Sequence, residues 1–403
     1  MIKYSVLEKY IKNIELEISD VFLGLEGINL ARGISGLAVL IAAIEENFNV
    51  NLKEIREKLA IHLVKELSSI NVASISLWGG YCGILVGIEK LDIEELEPQA
   101  KRLEVSIFEL ISTKLSNNVQ DLSFGVYDLM SGVAGMLFYC LKSKTVSLAK
   151  NLAIEKCIKF IESITNFDGS MNVLRVSKNT LNDKILNFIP NGGTIFGMAH
   201  GIAGIFSVLN ECVRQNYLSI HSKLYKTYYS VFFNIIKKND FFPLFVSENF
   251  AQSKKLNSSW CYGEIGILIS SLGVDITRND GFADLIFSRT EKFFQFLQND
   301  EDGGMNKDSD IFCHGSAGLI YFINYLESKT DMRFSELKKN RMESLYKKFN
   351  PNEIKSFSDT GETKQEVLQY REGLLDGQAG VLLALICAQN GTRFRDDWIL
   401  GYI

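Results

Sequence analysis

Two thiols occupy matched places in this chain. Cys261 lies two residues before a glycine in the segment WCYGEIG, and Cys313 lies two residues before a glycine in FCHGSAG. His314 directly follows Cys313. Two thiolates and one imidazole are a known ligand set of catalytic zinc, which leaves a fourth coordination position for water or substrate. The pattern predicts a zinc site; the alternative is that these three side chains are buried packing residues.

A second histidine occupies the same place as His314. His200 also directly precedes a glycine, in the segment MAHGIAG, and the chain contains only four histidines. Asp128 lies four residues before Gly132, so we expect it at the same end of the fold. A carboxylate beside an imidazole orients the ring. Asp128 is therefore a candidate partner of His200, although Asp376 is a rival and either aspartate can instead cap the helix that follows it.

The other five cysteines are predicted to be packing residues. One of them lies within a glycine pair and the others follow helical patterns: Cys82, Cys140, Cys157, Cys212 and Cys387. The seven cysteines of the chain are widely spaced and form no Cys-x-x-Cys pair. An odd number at such spacing argues against a disulfide framework and is typical of a reduced, cytosolic protein.

The candidate site residues all belong to a repeated unit. Seven Gly-x-x-Gly pairs each open a strongly apolar stretch, such as LAVLIAAI or VLLALICA. The pairs are Gly33/Gly36, Gly80/Gly83, Gly132/Gly135, Gly201/Gly204, Gly263/Gly266, Gly315/Gly318 and Gly377/Gly380. Units of this kind cannot bury their apolar faces alone and must stack on one another. The repeats therefore predict one domain over residues 1–403, where length alone suggests roughly two or three.

Each unit combines two kinds of helix. An amphipathic stretch, such as 52–67 or 285–297, precedes the glycine pair, and the segment after the pair is apolar on all sides. A helix that is apolar on every side is buried on every side, so we expect the amphipathic helices to form an outer layer. Neither terminal unit has the polar cap of an open array. The sequence predicts an all-α fold: a closed α/α toroid of seven inner and seven outer helices.

Two stretches break this pattern. Residues 166–197 contain turn residues and β-branched runs in place of a helical period, and residues 241–259 are similarly irregular. Both stretches directly precede glycine pairs that carry candidate site residues. We predict a small irregular or β-containing insertion around residues 166–197.

Composition excludes several classes of protein. The net charge is −5, and no long block of one sign provides the footprint of a nucleic-acid-binding protein. No apolar run reaches the roughly 18 residues that span a bilayer. The N-terminal segment lacks the apolar core of a signal peptide. We therefore expect a cytoplasmic protein without a nucleic-acid partner.

At these residues the chain resembles the lanthionine synthetase C-like (LanC-type) cyclases. The resemblance covers essentially all of the chain. It rests on the seven glycine pairs and on WCYG, CHG, AHGxxG and YDxxxGxxG in the family's order. It implies an α/α toroid with one zinc ion per chain, held by Cys261, Cys313 and His314. It also implies that His200 and Asp128 assist proton transfer.

The reaction that the resemblance implies is a Michaelis-type addition. A cysteine thiol of a precursor peptide adds to the β-carbon of a dehydroalanine or dehydrobutyrine, and the product is a lanthionine or methyllanthionine ring. The substrate would be a dehydrated precursor peptide with its leader, in lantibiotic biosynthesis. Dehydratase and exporter partners would place the cytoplasmic protein peripherally at the inner face of the membrane.

One residue departs from the family's pattern. Bacterial members commonly have Arg four residues before the WCYG cysteine, where this chain has Asn257. We predict that Lys254 or Lys255 partly compensates for the missing arginine.

Three other functions are alternatives to the cyclase. A relative that adds glutathione to dehydrated residues is expected to have WCHG. A toroid glycosidase needs paired carboxylates, and a non-catalytic scaffold has no reason to place Cys, Cys-His and His at equivalent turns.

Overall fold

The structure is a computed structural model that describes most of the chain. The described residues are 1–70, 74–115, 121–187, 189–238, 242–246, 257–274, 281–299, 309–353, 356–357 and 372–403. They form two compact units. Unit 1 contains Met1–Glu104 and Met305–Arg395, and unit 2 contains Val105–Gly304 and Asp396–Ile403.

Amphipathic helices precede each of the seven glycine pairs in the described chain. They are α1 (Tyr4–Val21), α4 (Lys53–Ser69), α6 (Glu97–Lys114), α9 (Leu148–Ile164), α12 (Lys223–Lys238), α14 (Phe282–Asn299) and α16 (Ser335–Lys348). Three short helices lie between longer elements: α2 (Gly24–Ile28), α7 (Phe124–Tyr127) and α10 (Asp183–Leu186). Single turns of 3₁₀ helix occur at Glu94–Leu96, Lys178–Thr180 and Asp397–Leu400.

The seven glycine pairs each begin a buried helix. The first glycine of every pair is the N-terminal cap, in extended conformation, and the helix starts at the next residue. These inner helices are α3 (Ile34–Phe48), α5 (Tyr81–Leu91), α8 (Val133–Lys142), α11 (Ile202–Arg214), α13 (Glu264–Leu272), α15 (Ser316–Lys329) and α17 (Gln378–Asn390). All seven therefore start from the same backbone arrangement.

Burial separates the two kinds of helix as the sequence predicted. Every residue of α17 from Gln378 to Ala388 is buried. In the outer helix α16, by contrast, Leu345 is the buried side chain. A helix without a polar face gains its stability only by being covered on all sides, which is why the apolar segments after the glycines form the inner layer.

In unit 1 the first and last inner helices of the chain are neighbours. Helix α15 packs on α17, α17 packs on α3, and α3 packs on α5. The backbone N–H of Leu375 donates to the carbonyl oxygen of Ala31 at 3.0 Å, and the N–H of Ala31 donates to that of Trp78 at 3.3 Å. The last repeat therefore packs directly against the first, as expected of a closed array.

In unit 2 the inner helices lie in chain order, with α11 between α8 and α13. The C-terminal segment, residues 396–403, packs against these helices. Trp398 stacks on Phe138, with ring centroids 5.9 Å apart. The Trp260 indole N–H donates to the carbonyl oxygen of Leu400 at 2.8 Å. The last residues of the chain thus anchor the turn that contains the WCYG sequence.

Two short strands form a small sheet beside unit 2's inner helices. Strand β1 (Thr194–Ile195) pairs antiparallel with β2 (Phe245–Val246), with Thr194 opposite Val246. Strand β1 lies in the stretch 166–197, where we predict an insertion, and its partner β2 lies in the second irregular stretch. The assignment of residues 1–403 to a single domain stays a prediction. Within the described ranges, no helix is both long and apolar enough to cross a membrane.

Candidate active site

Several of the turns before the inner helices are connected by the same backbone hydrogen bond. We call the residue directly before the first glycine of a pair the −1 residue, and the one before that the −2 residue. At several neighbouring turns, the backbone N–H of one −2 residue donates to the carbonyl oxygen of the next −2 residue. Cys313 donates to Leu375 at 3.1 Å in unit 1, and Ala199 donates to Cys261 at 3.0 Å in unit 2. Neighbouring turns are thereby fixed in register.

The −1 residues present side chains from this fixed backbone. In chain order they are Arg32, Gly79, Ser131, His200, Tyr262, His314 and Asp376. Most of them carry groups that bind protons, metals or polar ligands. The repeated turns therefore place side chains of different chemical types at the same backbone position.

Cys261, Cys313 and His314 form a group that fits a metal ion. One ligand atom from each lies within 4.8 Å of the others. In a tetrahedral zinc site with Zn–S of about 2.3 Å and Zn–N of about 2.0 Å, ligand atoms lie roughly 3.5 to 3.8 Å apart. Sulfur and imidazole donors suit zinc, whereas magnesium and calcium prefer oxygen. The donor types and the spacing of the group are therefore compatible with zinc.

Close backbone packing positions Cys261. A Cβ atom at Gly197 would lie 2.2 Å from the Cys261 carbonyl oxygen and 2.7 Å from the Tyr262 Cα. Glycine is therefore required there for the turns to approach this closely. Trp260, only 1% exposed, anchors the other side of the turn. The Cys261 side chain is itself buried.

Cys313 and His314 are positioned in the same way within unit 1. The Cys313 backbone bonds to the turn before α17, and the neighbouring Phe312 is fully buried. The Phe312 ring packs on Tyr321 of α15 with centroids 5.6 Å apart. The two ligand side chains are only half-buried, so they combine a fixed backbone with access from solvent.

The structure joins Asp128 to His200. Oδ2 of Asp128 lies 2.6 Å from Nδ1 of His200. Oδ1 of Asp128 accepts hydrogen bonds from the backbone N–H groups of Ser131 at 2.7 Å and Gly132 at 2.9 Å. One carboxylate oxygen of Asp128 thus holds the turn before α8 and the other lies against the imidazole, whereas α8 itself has Gly132 as its N-cap and no side-chain cap.

Three aromatic side chains complete the surroundings of His200. Phe124 and Tyr262 pack on its ring with centroid distances of 5.0 and 5.4 Å. The Tyr127 hydroxyl donates to the His200 carbonyl oxygen at 3.2 Å. Burial, with the charge of Asp128 as a second cause, raises the pKa of Tyr127 well above its usual value. Tyr127 is therefore a neutral donor that fixes the His200 backbone.

A buried ion pair lies behind the WCYG turn. Oε1 of Glu264, the first residue of α13, accepts hydrogen bonds from Nη2 of Arg289 at 2.5 Å and from the backbone N–H of Phe242 at 2.9 Å. Burial raises the pKa of Glu264 to about 7, although Arg289 opposes the shift. Nothing in the sequence pattern singled out this pair, because Arg289 lies in an amphipathic helix like any other outer helix.

Asn257 is a turn-forming residue. Its side-chain oxygen accepts the backbone N–H of Ser259 at 2.9 Å, and its carbonyl oxygen accepts the N–H of Glu264 at 2.7 Å. Lys254 and Lys255, which we predicted to compensate for the missing arginine, lie outside the described residues. That compensation stays a prediction.

The remaining cysteines and histidines have packing environments or exposed positions. The five cysteines assigned to packing are all buried. Burial raises the pKa of the Cys212 thiol, with Glu211 as the next cause, so this thiol is a poor nucleophile. His62 is also buried, and a ring nitrogen lies 2.6 Å from the Phe22 carbonyl oxygen. His221 is exposed.

Sequence reasoning overlooked two −1 residues. Tyr262 packs on His200, and Arg32 lies with its Nε 3.3 Å from Oδ2 of Asp376. The signal that would have found them is the repeat register. The residue four before one glycine pair packs against the −1 residue of the next turn: Asp128 with His200, Gly197 with Tyr262, and Gly373 with Arg32.

The fold and these turns define a lanthionine synthetase C-like protein. That family matches residues 24–400, and the chain belongs to it. Nisin biosynthesis protein NisC of Lactococcus lactis subsp. lactis is 24% identical over 390 residues, which cover 91% of this chain and 87% of that protein. A solved structure of nisin cyclase has 19% identity and a TM-score of 0.75, covering 98% of this chain and 97% of its own. The predicted all-α toroid is thus confirmed.

Proposed function

We propose that this protein is a zinc-dependent lanthionine cyclase. Its substrate would be a dehydrated precursor peptide with its leader, in which a cysteine thiol adds to dehydroalanine or dehydrobutyrine. The observation that carries the proposal is the group formed by Cys261, Cys313 and His314 in a member of the lanthionine synthetase C-like family. The similarity to NisC, named for nisin biosynthesis, supports a peptide substrate.

The three ligands would hold one zinc ion per chain. When bound, zinc would supply a Lewis acid that lowers the pKa of a substrate thiol, which is about 8.5 when free. The two cysteine ligands would keep the donor set rich in electrons. The half-buried position of Cys313 and His314 would let a peptide reach this group without opening the fold.

His200 would move the protons of the reaction. Its Nδ1 is held by Asp128, so Nε2 is the ring nitrogen that would exchange a proton with the peptide. Addition forms a bond between sulfur and the β-carbon, and the electrons of the carbon–carbon double bond move toward the carbonyl oxygen. The resulting enolate takes a proton at Cα. The thiol loses one proton and Cα gains one, so no atom is lost overall.

The surroundings of His200 suit this role. The two flanking rings, Phe124 and Tyr262, restrict the imidazole, and the buried Asp128 fixes its tautomer. A group that must accept and return a proton at neutral pH is most often an imidazole. Positioned general acids and bases typically contribute about 10² to 10⁴-fold in rate.

Partners and location extend the proposal. A dehydratase would supply the dehydrated residues, because the addition needs a carbon–carbon double bond that ordinary Ser and Thr lack. An exporter would take up the cyclised peptide. The protein would act in the cytoplasm, held at the inner face of the membrane through these partners.

The direct test is cyclisation of a dehydrated peptide. Ring formation leaves the mass unchanged but removes a free thiol, so alkylation followed by mass spectrometry measures it. The purified protein should protect the thiol from alkylation, and Cys313→Ala should not. Cys157→Ala, which removes a buried cysteine of the outer helix α9, is the matched control and should remain active. Equal activity of wild type and Cys313→Ala would contradict the proposal.

A further inference from the structure

We propose that Arg32 and Asp376 in unit 1 form a binding site for the main chain of the peptide substrate. The guanidinium group would donate to a peptide carbonyl oxygen, and the carboxylate would accept a peptide N–H. This inference rests on the proposed function, because it states how the same peptide is held. The pair is formed by Nε of Arg32 and Oδ2 of Asp376, 3.3 Å apart.

The pair lies on the turns next to a candidate metal ligand. His314, Asp376 and Arg32 are the −1 residues before α15, α17 and α3. Backbone hydrogen bonds connect these three turns in that order, from Cys313 to Leu375 at 3.1 Å and from Leu375 to Ala31 at 3.0 Å. Asp376 is thus one turn from His314, and Arg32 is one turn further.

This spacing matches a short stretch of peptide. Neighbouring helices pack about 8 to 10 Å apart, and an extended chain rises about 3.3 Å per residue. A peptide residue at His314 therefore lies about three to six residues from the part that would contact Arg32 and Asp376. The pair would hold the segment that adjoins the reacting cysteine.

The fold does not need this ion pair to bring the two turns together. The Leu374 N–H donates to the carbonyl oxygen of Leu30 at 3.3 Å, beside the bond from Leu375 to Ala31. A Cβ atom at Gly373 would lie 2.3 Å from the Arg32 nitrogen and Cα, so the backbones are already in direct contact. Exposed ion pairs add little to stability, and 42% of Arg32 and 24% of Asp376 is exposed.

The charges of the pair select the kind of ligand. Arginine offers planar N–H donors, and a carboxylate offers only acceptors. The two charges offset each other, which disfavours a free carboxylate or ammonium ligand and favours a neutral group with both a donor and an acceptor. Peptide groups have this character at every residue. Recognition of the main chain would let one site serve peptide segments with different side chains.

The experiment measures steady-state kinetics of the zinc-loaded protein with a synthetic linear peptide that contains a dehydroalanine and a cysteine. Arg32→Ala and Asp376→Ala should each raise KM by about 10- to 100-fold, the range for hydrogen bonds to charged groups. The zinc content and kcat should stay unchanged. Arg395→Ala is the matched control, because Nε of Arg395 lies 3.1 Å from Oε1 of Glu46 at the other end of α3, and it should leave KM unchanged.

Two results would overturn the inference. Unchanged KM in both variants would make the pair structural, and a fall in kcat with constant KM would place Arg32 in the reaction rather than in binding. Titration calorimetry with a peptide whose cysteine is replaced by serine measures binding without turnover. If wild type binds this peptide through Arg32 but cyclises nothing, the proposed function fails while this inference stands.

Discussion

Each unit contains a carboxylate that is paired with a basic −1 residue, and the two carboxylates differ in burial. In unit 2, Asp128 is fully buried and holds the partly exposed His200. In unit 1, the Arg32 and Asp376 side chains are both partly exposed, at 42% and 24%. In both pairs the basic residue is the −1 residue of its turn and the carboxylate belongs to the neighbouring turn, but Asp128 lies four residues before its glycine pair and Asp376 lies directly before its own. The difference in burial therefore goes with a difference in the position of the carboxylate within its turn.

Burial determines what each pair is able to do. A buried carboxylate that accepts two backbone N–H groups cannot move, so it holds an imidazole in one orientation. An exposed carboxylate and guanidinium exchange partners easily, since water competes for both. The first arrangement suits proton transfer and the second suits reversible binding. The following predictions test this contrast, from the largest effect to the smallest.

His200→Ala should remove the proton-transfer group and leave the metal site intact. We expect cyclisation to slow by about 10² to 10⁴-fold, with a full complement of zinc. Alkylation-coupled mass spectrometry measures the rate, and atomic emission measures the metal. Loss of zinc from this variant would place His200 among the metal ligands, and full activity would reduce it to a packing residue.

Glu264 is a third carboxylate to compare. It is buried, as Asp128 is, and it is paired with an arginine, as Asp376 is. Its folded pKa is about 7, above the ordinary 4.5. Between roughly pH 4.5 and 7 the unfolded chain releases this proton while the folded chain keeps it, so the stability that the protonated Glu264 contributes is lost as the pH rises. Wild type should therefore lose about 2 to 4 kcal/mol relative to Glu264→Gln between pH 4.5 and 8.

Thermal unfolding of both proteins at pH 5 and pH 8 checks this prediction. The quantity of interest is the difference in Tm between wild type and Glu264→Gln, because other titrating groups and the metal affect both proteins alike. A difference that does not change with pH would show that Arg289 keeps Glu264 ionised throughout.

Asp128→Asn should slow cyclisation less than His200→Ala does. The amide oxygen can still accept the backbone N–H groups, but the charge that orients the imidazole is gone. Loss of a carboxylate that orients a metal-bound imidazole costs about 10- to 100-fold, and we expect a similar cost at His200. The same rate assay measures it. A variant slower than His200→Ala would show that Asp128 acts on the peptide itself.

The smallest effect concerns the stability of the two carboxylates. Asp128→Ala leaves two backbone N–H groups without their acceptor and should cost about 1 to 3 kcal/mol. Asp376→Ala removes only an exposed charge and should cost less than about 1 kcal/mol. Urea unfolding of the two variants measures both values. Equal costs would contradict the contrast in burial on which the comparison depends.

Much of the fold follows from the sequence because the signal repeats. Seven glycine pairs followed by segments apolar on all sides specify the inner helices and their common starting point. Each amphipathic stretch specifies an outer helix, since only one face can be covered. The packing of α17 against α3 was also foreseeable, because the last repeat has no polar cap. By contrast, the pairing of β1 with β2 joins segments about fifty residues apart, and no local pattern encodes it.

The candidate site was predictable where residue types are rare and less so where they are common. Four histidines and seven cysteines in 403 residues make repeated positions easy to see, so His200 and the predicted zinc ligands stood out. Arg32 and Arg289 did not, because arginine is frequent on helices and turns. Their roles depend on which side chain lies across the neighbouring turn, which is a property of packing between repeats.

The most direct test of the central claim is the zinc content of the purified protein and its variants. We expect one zinc ion per chain in wild type, His200→Ala and Cys157→Ala, and almost none in Cys261→Ala and Cys313→Ala. Helical circular dichroism should be alike in all five, because the packing of the inner helices does not depend on the ion. A full complement of zinc in Cys313→Ala would show that Cys313 is not a zinc ligand.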